Sequence, residues 1–479
     1  MFGYSKRVPG RRRYFLLCIM GYMSRMSIEV MTTGERRAVT GLAGLYVLRM
    51  LGLFMVLPVL SIYSSDLEGA TPALIGMAIG GYGLTQALLQ IPFGFLSDKI
   101  GRKTVIVFGL LLFIAGSVVA AMSESIYGVI IGRCLQGSGA IASSVMALLS
   151  DLTREQMRMR AMAVVGISIG ISFSVALVLG PIISQPFGLE GLFWFTAVLA
   201  SMGLAVIWKW VPTPQRYDQH RDTGVQKGQL KKILKHPELL RLDFGIFILH
   251  LIMTATFVVI PLRMLELELL AQHHWMVYLP IMILSFLAMI PFIIVAEKKR
   301  KMKPIFIFAI ILVAVSQLMM GSLTAESRSA LFVFLFIYFM AFNLLEASLP
   351  SLVSKISPAG QKGAAMGVYS SSQFMGAFVG GAAGGWLYGA WGIDAVLIVC
   401  GVLALIWAVV VFPMATPKHL TSKAVSLPEH WSDDADGFVK RLLALPGVEE
   451  VVVIADEKAA YMKIDKAQFD DQALAAAIA

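Results

Sequence analysis

The chain is 479 residues long, 57% of them hydrophobic and only 15% charged, with a mean hydropathy of +0.76. That balance excludes a soluble globular protein and indicates a polytopic membrane protein. The formal charge of +10 raises a nucleic-acid ligand as an alternative, but loop-by-loop segregation of Lys and Arg gives the plainer account, contact with lipid head groups, and no nucleic-acid partner is expected.

The first thirty residues hold "RRRYFLLCIMGYM", a charged start before an apolar core too short to span, with no clear cleavage site. They read as a cytoplasmic tail, or as sequence upstream of a start at Met31; the second reading is favoured. A crossing needs about 20 apolar residues. Twelve such runs follow, at 38–62, 72–96, 104–122, 126–149, 161–184, 190–211, 243–263, 275–296, 304–322, 329–353, 363–388 and 392–413. Their length favours helices over barrel strands. Lys99, Arg102 and Lys103 follow the second run, Arg154, Arg158 and Arg160 the fourth, and Lys298, Lys299, Arg300, Lys301 and Lys303 the eighth. Arg216, Arg221, Lys227, Lys231, Lys232 and Lys235 lie after the sixth. The alternate loops carry no Lys or Arg except Arg328. Both termini and the basic loops are therefore expected in the cytoplasm of a bacterial cell, with the spans in its inner membrane.

An internal repeat halves the spans. Aligning residue 92 with residue 291 sets "PFGFLSDKIGRK" against "PFIIVAEKKRKM", so that Asp98 meets Glu297 and Lys99 meets Lys298. "LSDLT" and "VSKIS" then each lie eight residues before an Ala-Met pair. Two like-oriented six-helix bundles, 38–211 and 243–413, imply a central cavity and alternating access by rocking. The expected remainder is a tail at 1–37, a cytoplasmic linker at 212–242, a second linker at 414–423 and a cytoplasmic domain at 424–479.

The loop after the second span carries Gly94, Asp98, Gly101, Arg102 and Lys103, a pattern that resembles the loop signature of the major facilitator superfamily. "LGLFMVLP", with Gly52 and Pro58, is similar to that family's first-span motif. "GRCLQGSGA", with Arg133, Gln136, Gly137 and Gly139, resembles the fourth-span motif. "GPIIS", with Gly180 and Pro181, resembles the end of the fifth-span motif of efflux members, although the small pair expected after it is Ser184-Gln185. The resemblance covers about residues 38–413. It implies an all-α transporter driven by protons, with drug–proton antiport the nearest type. It also implies that Asp98, with Asp151, bonds the start of the eleventh span near Gly363 and latches the halves in the outward-open state. The alternative is that these charges only fix topology.

Ionisable groups inside spans are costly and informative. Arg49 lies mid-way along the first span, Arg133 early in the fourth, and Glu346 in the tenth beside Asn343. All are expected to face the cavity or one another. Glu346 reads as a proton carrier or substrate counter-ion, or else as part of a structural pair. Arg133 resembles the family residue linked to coupling, and Arg49 is open between coupling and structure. His250 can titrate or simply pack. Gln86, Gln90, Gln136, Asn343 and Gln373 supply amides to a substrate cavity.

Gly76 and Gly80, Gly166 and Gly170, and Gly376 and Gly380 have the spacing of close helix contact. No G-x-x-x-x-G-K-[ST] occurs, and no nucleophile or metal constellation, so neither an enzyme nor a cofactor is expected and an ion gradient is the energy source. One proton crossing about 100 mV supplies about 2.3 kcal/mol, enough for a gradient on the order of fifty-fold. Cys18, Cys134 and Cys400 are isolated, and the adjacent His273 and His274 read as solvated.

After residue 413 the composition turns soluble. The order βαββα suits a small α+β ferredoxin-like domain, and "LPGVEEVVVIADEKAAYMKID" resembles the heavy-metal-associated fold. The metal-binding Cys-x-x-Cys of that fold is absent, which leaves a regulatory or self-associating module. The leading expectation is proton-coupled efflux of small organic compounds. The alternatives are an importer or facilitator of a polar metabolite, or a membrane sensor that signals through its C-terminal domain.

Overall fold

The computed structural model describes residues 31–213, 227–324, 326–358, 361–415, 420–427, 431, 434–454, 459–465 and 468–478. The expectations for the first thirty residues, and for Arg216 and Arg221, lie outside the described residues. Ten helical stretches among those described are long and apolar enough to cross a membrane.

The first stretch is α1 (Thr33–Phe54) followed by α2 (Leu57–Tyr63). Thr32 and Glu35 form a capping box that starts α1, so the helix begins five residues before the sequence-based limit. Its continuity breaks at Met55–Val56, ahead of Pro58, which has no N–H to give the preceding turn. Then come α3 (Pro72–Ile100), capped by Thr71, and α4 (Arg102–Ala121). Gly101 joins them at φ 99°, ψ 140°, a geometry that disfavours a Cβ. Gly94, expected in a turning loop, instead lies inside α3. The expected single run at 126–149 is two helices, α5 (Ile126–Ser138) and α6 (Ala142–Asp151). The break leaves the Gly139 carbonyl without a helical partner, and a side chain uses it, as shown below.

α7 (Glu155–Lys209) and α13 (Lys362–Val411) are 55 and 50 residues long. At 1.5 Å per residue each is more than twice the roughly 30 Å of hydrocarbon. Each is broken once, at Gly188 (φ 62°, ψ −163°) and at Gly392 (φ 79°, ψ −174°). The intervening helices are α8 (Lys227–Ile233), α9 (Pro237–Glu266), α10 (His274–Lys298), α11 (Met302–Leu323) and α12 (Arg328–Ile356). The expected 212–242 linker thus holds a short helix and the first turns of α9. The Pro237 start of α9 carries Asp243 inside the helix. His274 is fully buried, with Nε2 3.0 Å from the Leu269 carbonyl, which corrects its reading as solvated.

Large apolar side chains such as Ile131, Ile167 and Phe412 stand 61%, 64% and 71% exposed around the helices, which only a lipid surround makes tolerable. Beyond α13 lie β1 (Leu420–Ser426), α14 (Ala435–Leu443), β2 (Val448–Ile454), β3 (Ala459–Asp465) and α15 (Asp471–Ile478). The strands form one antiparallel sheet in the order β1-β3-β2, with Met462 opposite Lys423 and Val451. Ala460, Met462 and Ile464 share one face of β3 and pack on Phe438, Leu442 and Leu474 from the two helices. β1 begins at Leu420, so the last residues of the expected second linker belong to the sheet.

The two halves meet along α3 and α13, α2 and α9, and α7 and α10. A Cβ on Gly76 would lie 2.1 Å from the Gly381 carbonyl oxygen, and one on Gly80 2.6 Å from that of Phe378. Within the second half, Gly376 and Gly380 of α13 approach the Phe247 and Leu251 carbonyls of α9 as closely, at 2.1 and 2.2 Å. The third glycine pair does not behave so: nothing lies within 4 Å of a Cβ on Gly166, and Gly170 meets only Phe286 at 3.8 Å. Ser61 Oγ donates to the Phe257 carbonyl at 3.5 Å, Gln185 Nε2 to Gln272 at 3.1 Å, and Ser371 Oγ to the Ala87 carbonyl at 3.1 Å. These contacts run from mid-helix towards the end opposite the basic loops.

Candidate functional site

In the first half, Arg49 and Arg133 are 2% and 1% exposed. Arg49 Nη2 donates to the Tyr82 hydroxyl at 3.0 Å, to Gln86 Oε1 at 3.0 Å and, at 2.7 Å, to the Gly139 carbonyl, which also accepts from the Ile141 N–H. Gln86 Nε2 passes the network on to Gln90 Oε1 at 2.8 Å. Arg133 donates to the Ala78 and Ile79 carbonyls at 3.2 and 3.3 Å and to Gln136 Oε1 at 2.9 Å, and Gln136 Nε2 to Ser117 Oγ at 2.8 Å. Both guanidinium groups also face aromatic rings, Phe113 for Arg49 and Tyr82 for Arg133. No ion pair to either arginine occurs among the described residues. Gln86, Gln90 and Gln136, expected to offer amides to a substrate, are buried, with Gln86 and Gln136 bonded to these arginines and Gln90 to Gln86. Close approach makes the network: a Cβ on Gly137 would lie 2.1 Å from the Tyr82 carbonyl, one on Gly52 2.6 Å from Thr196, and one on Gly180 2.6 Å from the Met55 carbonyl and 3.3 Å from Pro58. Pro181 sits next to Gly180 inside α7.

In the second half, three helices bring Glu346 (α12), His250 (α9) and Gln373 (α13) together. Gln373 Nε2 donates to Glu346 Oε1 at 3.2 Å and lies 2.8 Å from His250 Nε2, which is 3.8 Å from Glu346 Oε2. The Glu346 side chain is 36% exposed although it lies about 15 Å from the nearer end of its helix, so its flank lines a cleft while its Oε2 is buried from solvent. Its Oε2 has no hydrogen-bond partner. Asn343 is turned away, donating to Ser285 Oγ at 3.0 Å. Beside the cluster, Phe173, Phe257, Phe339 and Phe342 contact one another across the two halves, and Phe342 also flanks His250. Sequence reasoning missed this aromatic group, because its members lie on three separate helices. It also missed Asp243, because the span was drawn to begin there.

At the basic end, Arg102 is 6% exposed and pairs with Asp98, donates to Ser97 Oγ at 2.9 Å and reaches Asp151 Oδ2 at 3.3 Å. Asp98 is thus held by Arg102 in this state, and the contact described for it is not with the start of α13 near Gly363. Lys103 Nζ donates to the Val211 carbonyl at 2.5 Å, and Arg154 grips Glu35 with Nε–Oε1 at 2.9 Å.

The sequence family described as Major Facilitator Superfamily matches residues 42–345 and 275–452. The chain is 50% identical over 436 residues to the inner membrane transport protein YajR of Escherichia coli K12, covering 91% of this chain and 95% of that one. It is 24% identical over 343 residues to the multidrug resistance protein MdtH of Yersinia enterocolitica, covering 71% and 84%. Among solved structures, a bacterial homolog of the human lysosomal transporter Spinster, in an inward-facing and occupied conformation, superposes with a TM-score of 0.67 at 12% identity, covering 81% of this chain and 98% of that one.

Proposed function

The chain belongs to the major facilitator superfamily, and from that premise we propose that it exports small organic compounds in exchange for protons by alternating access. It is a membrane transporter, not an enzyme, and its similarity to an inner membrane transport protein supports a multi-pass location in the bacterial inner membrane. Ten stretches, of which two are 50 residues long and broken at a glycine, give twelve crossings when each of those two counts twice. The basic loops and both termini are cytoplasmic, so the glycine seam closes the outer side and the cleft at Glu346 opens inward.

The observation that carries the reading is Glu346: a carboxyl deep in the membrane, on a side chain that lines the cleft, with one oxygen bonded to Gln373 and the other buried without a partner beside His250. Such a group can be loaded and unloaded with a proton, and its charge alters what the cleft will hold. His250 and Gln373 orient it. Arg133, bonded to two carbonyls and an amide, and Arg49, bonded through Nη2 while its Nε and Nη1 stay buried without partners, tie the first half into one rocking body. The aromatic group beside Glu346 gives the cleft an apolar wall suited to amphipathic compounds, in keeping with the similarity to a multidrug resistance protein. Asp98, Arg102, Lys103 and Asp151, with Gly94 and Gly101, form the latch that reaches α13 when the cytoplasmic side closes.

The C-terminal βαββα unit is ferredoxin-like and serves as a regulatory or self-associating module, with β1 and β2 as open sheet edges. The test is transport into proteoliposomes under an imposed pH gradient, over a panel of organic compounds. Gradient-driven transport that is lost in Glu346→Gln is the expected result. Transport indifferent to both gradient and substitution overturns the proposal in favour of a facilitator. Ligand binding with no transport favours a sensor.

A further inference from the structure

One buried carboxyl has no place in that scheme. Asp243 is 6% exposed, and its Oδ2 has neither solvent nor a hydrogen-bond partner. The hydroxyl of Tyr369, on α13, is likewise buried and unpartnered. Tyr369 lies within electrostatic reach of both Asp243 and Glu346.

Depth along the helices orders these groups. Counting 1.5 Å per residue from the cytoplasmic helix ends, Asp243 lies about 9 Å in, Tyr369 about 10 Å, Glu346 about 15 Å, Gln373 about 17 Å and His250 about 20 Å. Asp243 and His250 are seven residues apart and share a face of α9. Tyr369 and Gln373 are four apart and share a face of α13. The two helices touch backbone to backbone just beyond, at Gly376 and Gly380. No ion pair to Asp243 occurs among the described residues. Tyr369 from α13 is the ionisable group within electrostatic reach of it, with His250 two turns deeper on its own helix and Glu346 deeper on α12. A buried carboxyl without a cation or a donor is costly to keep, and the Trp407 indole N–H, packed over the neighbouring Gly245, is itself buried and makes no hydrogen bond to Asp243.

We infer that Asp243 exchanges protons between Glu346 and the cytoplasmic water, with the Tyr369 hydroxyl as the bridge. The inference rests on the reading of Glu346 as the coupling carboxyl. In the inward-open state, protonated Glu346 gives its proton to the phenol oxygen of Tyr369 as the phenol O–H proton passes to the Asp243 carboxylate. Asp243 then releases a proton to water. Glu346 loses one proton, the cytoplasm gains one, and Tyr369 ends as it began.

The test is a pH jump on the purified full chain in lipid nanodiscs, followed by time-resolved infrared absorption of protonated carboxyl groups. The carbonyl band that disappears in Glu346→Gln belongs to Glu346. If no carboxyl band is lost in Glu346→Gln, the coupling reading itself fails. If the band is present, Asp243→Asn is expected to slow its deprotonation about a hundredfold, the scale of a lost proton-transfer group, with the Glu346 titration midpoint nearly unmoved and the rate restored in Asp243→Glu. Tyr369→Phe keeps the ring and is expected to slow the same step, and it carries the test should Asp243→Asn not fold. Unchanged deprotonation rates in these variants overturn the role of Asp243 while leaving that of Glu346 standing. A purely structural role would move the midpoint or the melting temperature but not the rate.

Discussion

Lys463 of β3 donates to the carbonyl oxygens of Lys355 at 3.1 Å and Ile356 at 3.3 Å, so a strand of the C-terminal domain caps the last turn of the helix that carries Glu346. A cation at that end satisfies free carbonyls and complements the helix dipole. The ammonium is also buried, with Glu450 Oε2 at 3.6 Å. Burial holds its pKa below the ordinary 10.5, and Glu450 opposes that shift. A depressed native pKa means that the folded state sheds its proton first. The contribution of Lys463 to stability is therefore flat below the native value and rises as pH climbs from there towards 10.5. Thermal melts of wild type and Lys463→Met should diverge in favour of wild type across that window. Hydrogen exchange at the last turn of α12 should be faster in the variant. A difference in melting that does not change with pH counts against the docking.

In the proposed orientation Gly76 and Gly381 form the outer seam. A valine at residue 76 must push aside a backbone carbonyl that cannot rotate away, an overpacking cost of about 1–3 kcal/mol borne only by the outward-closed state. Gly76→Val should therefore raise the outward-open population roughly tenfold or more. The readout is labelling by an impermeant thiol reagent of a cysteine placed at Ser61, with Cys18, Cys134 and Cys400 replaced. An unchanged labelling rate would show that other contacts hold the seam.

Gly392 and Gly166 separate backbone strain from crowding, because neither has an atom within 4 Å of a Cβ. Gly392 has φ 79°, ψ −174°, a region nearly closed to other residues, whereas Gly166 is inside a helix. Gly392→Ala should cost about 1–3 kcal/mol. Gly166→Ala should gain up to about 1 kcal/mol. Thermal stability of the two purified variants decides, and equal shifts would mean that the break at Gly392 is not where the chain must turn.

Arg102 serves two carboxylates at once, Asp98 and Asp151, with side-chain exposures of 30% and 1%. Removing a buried partner leaves charge behind, so Arg102→Ala should cost about 3 kcal/mol, while Asp98→Asn should cost under about 1 kcal/mol because that carboxylate is partly hydrated. A reversed order in urea or thermal titrations would mean that Asp98, not Asp151, is the carboxylate the arginine protects.

Much of the protein was legible before any coordinates. Apolar runs, alternating loop charge and the Gly94–Lys103 signature lead to the superfamily, and Glu346 announces itself as a carboxyl in an apolar run. Less visible were the interruptions. The break at Gly139 and Ala140 lies in a run that reads as unbroken, and there the Gly139 carbonyl, bonded to the Ile141 N–H, also receives Arg49 from 90 residues away. The amides meant for a substrate illustrate the same limit, since Gln86 serves Arg49 of another helix, Gln90 is tied to Gln86, and Gln136 serves Arg133 of its own helix.

Sequence alone determined the medium and the family, because whether a segment prefers lipid to water is a sum over neighbouring residues and needs no partner. Tertiary structure alone decided which polar groups satisfy one another and which, like Glu346 and Asp243, retain an oxygen with no partner. Hydrogen bonds are short-ranged and directional, so their pairing depends on how distant helices pack, which hydropathy does not encode.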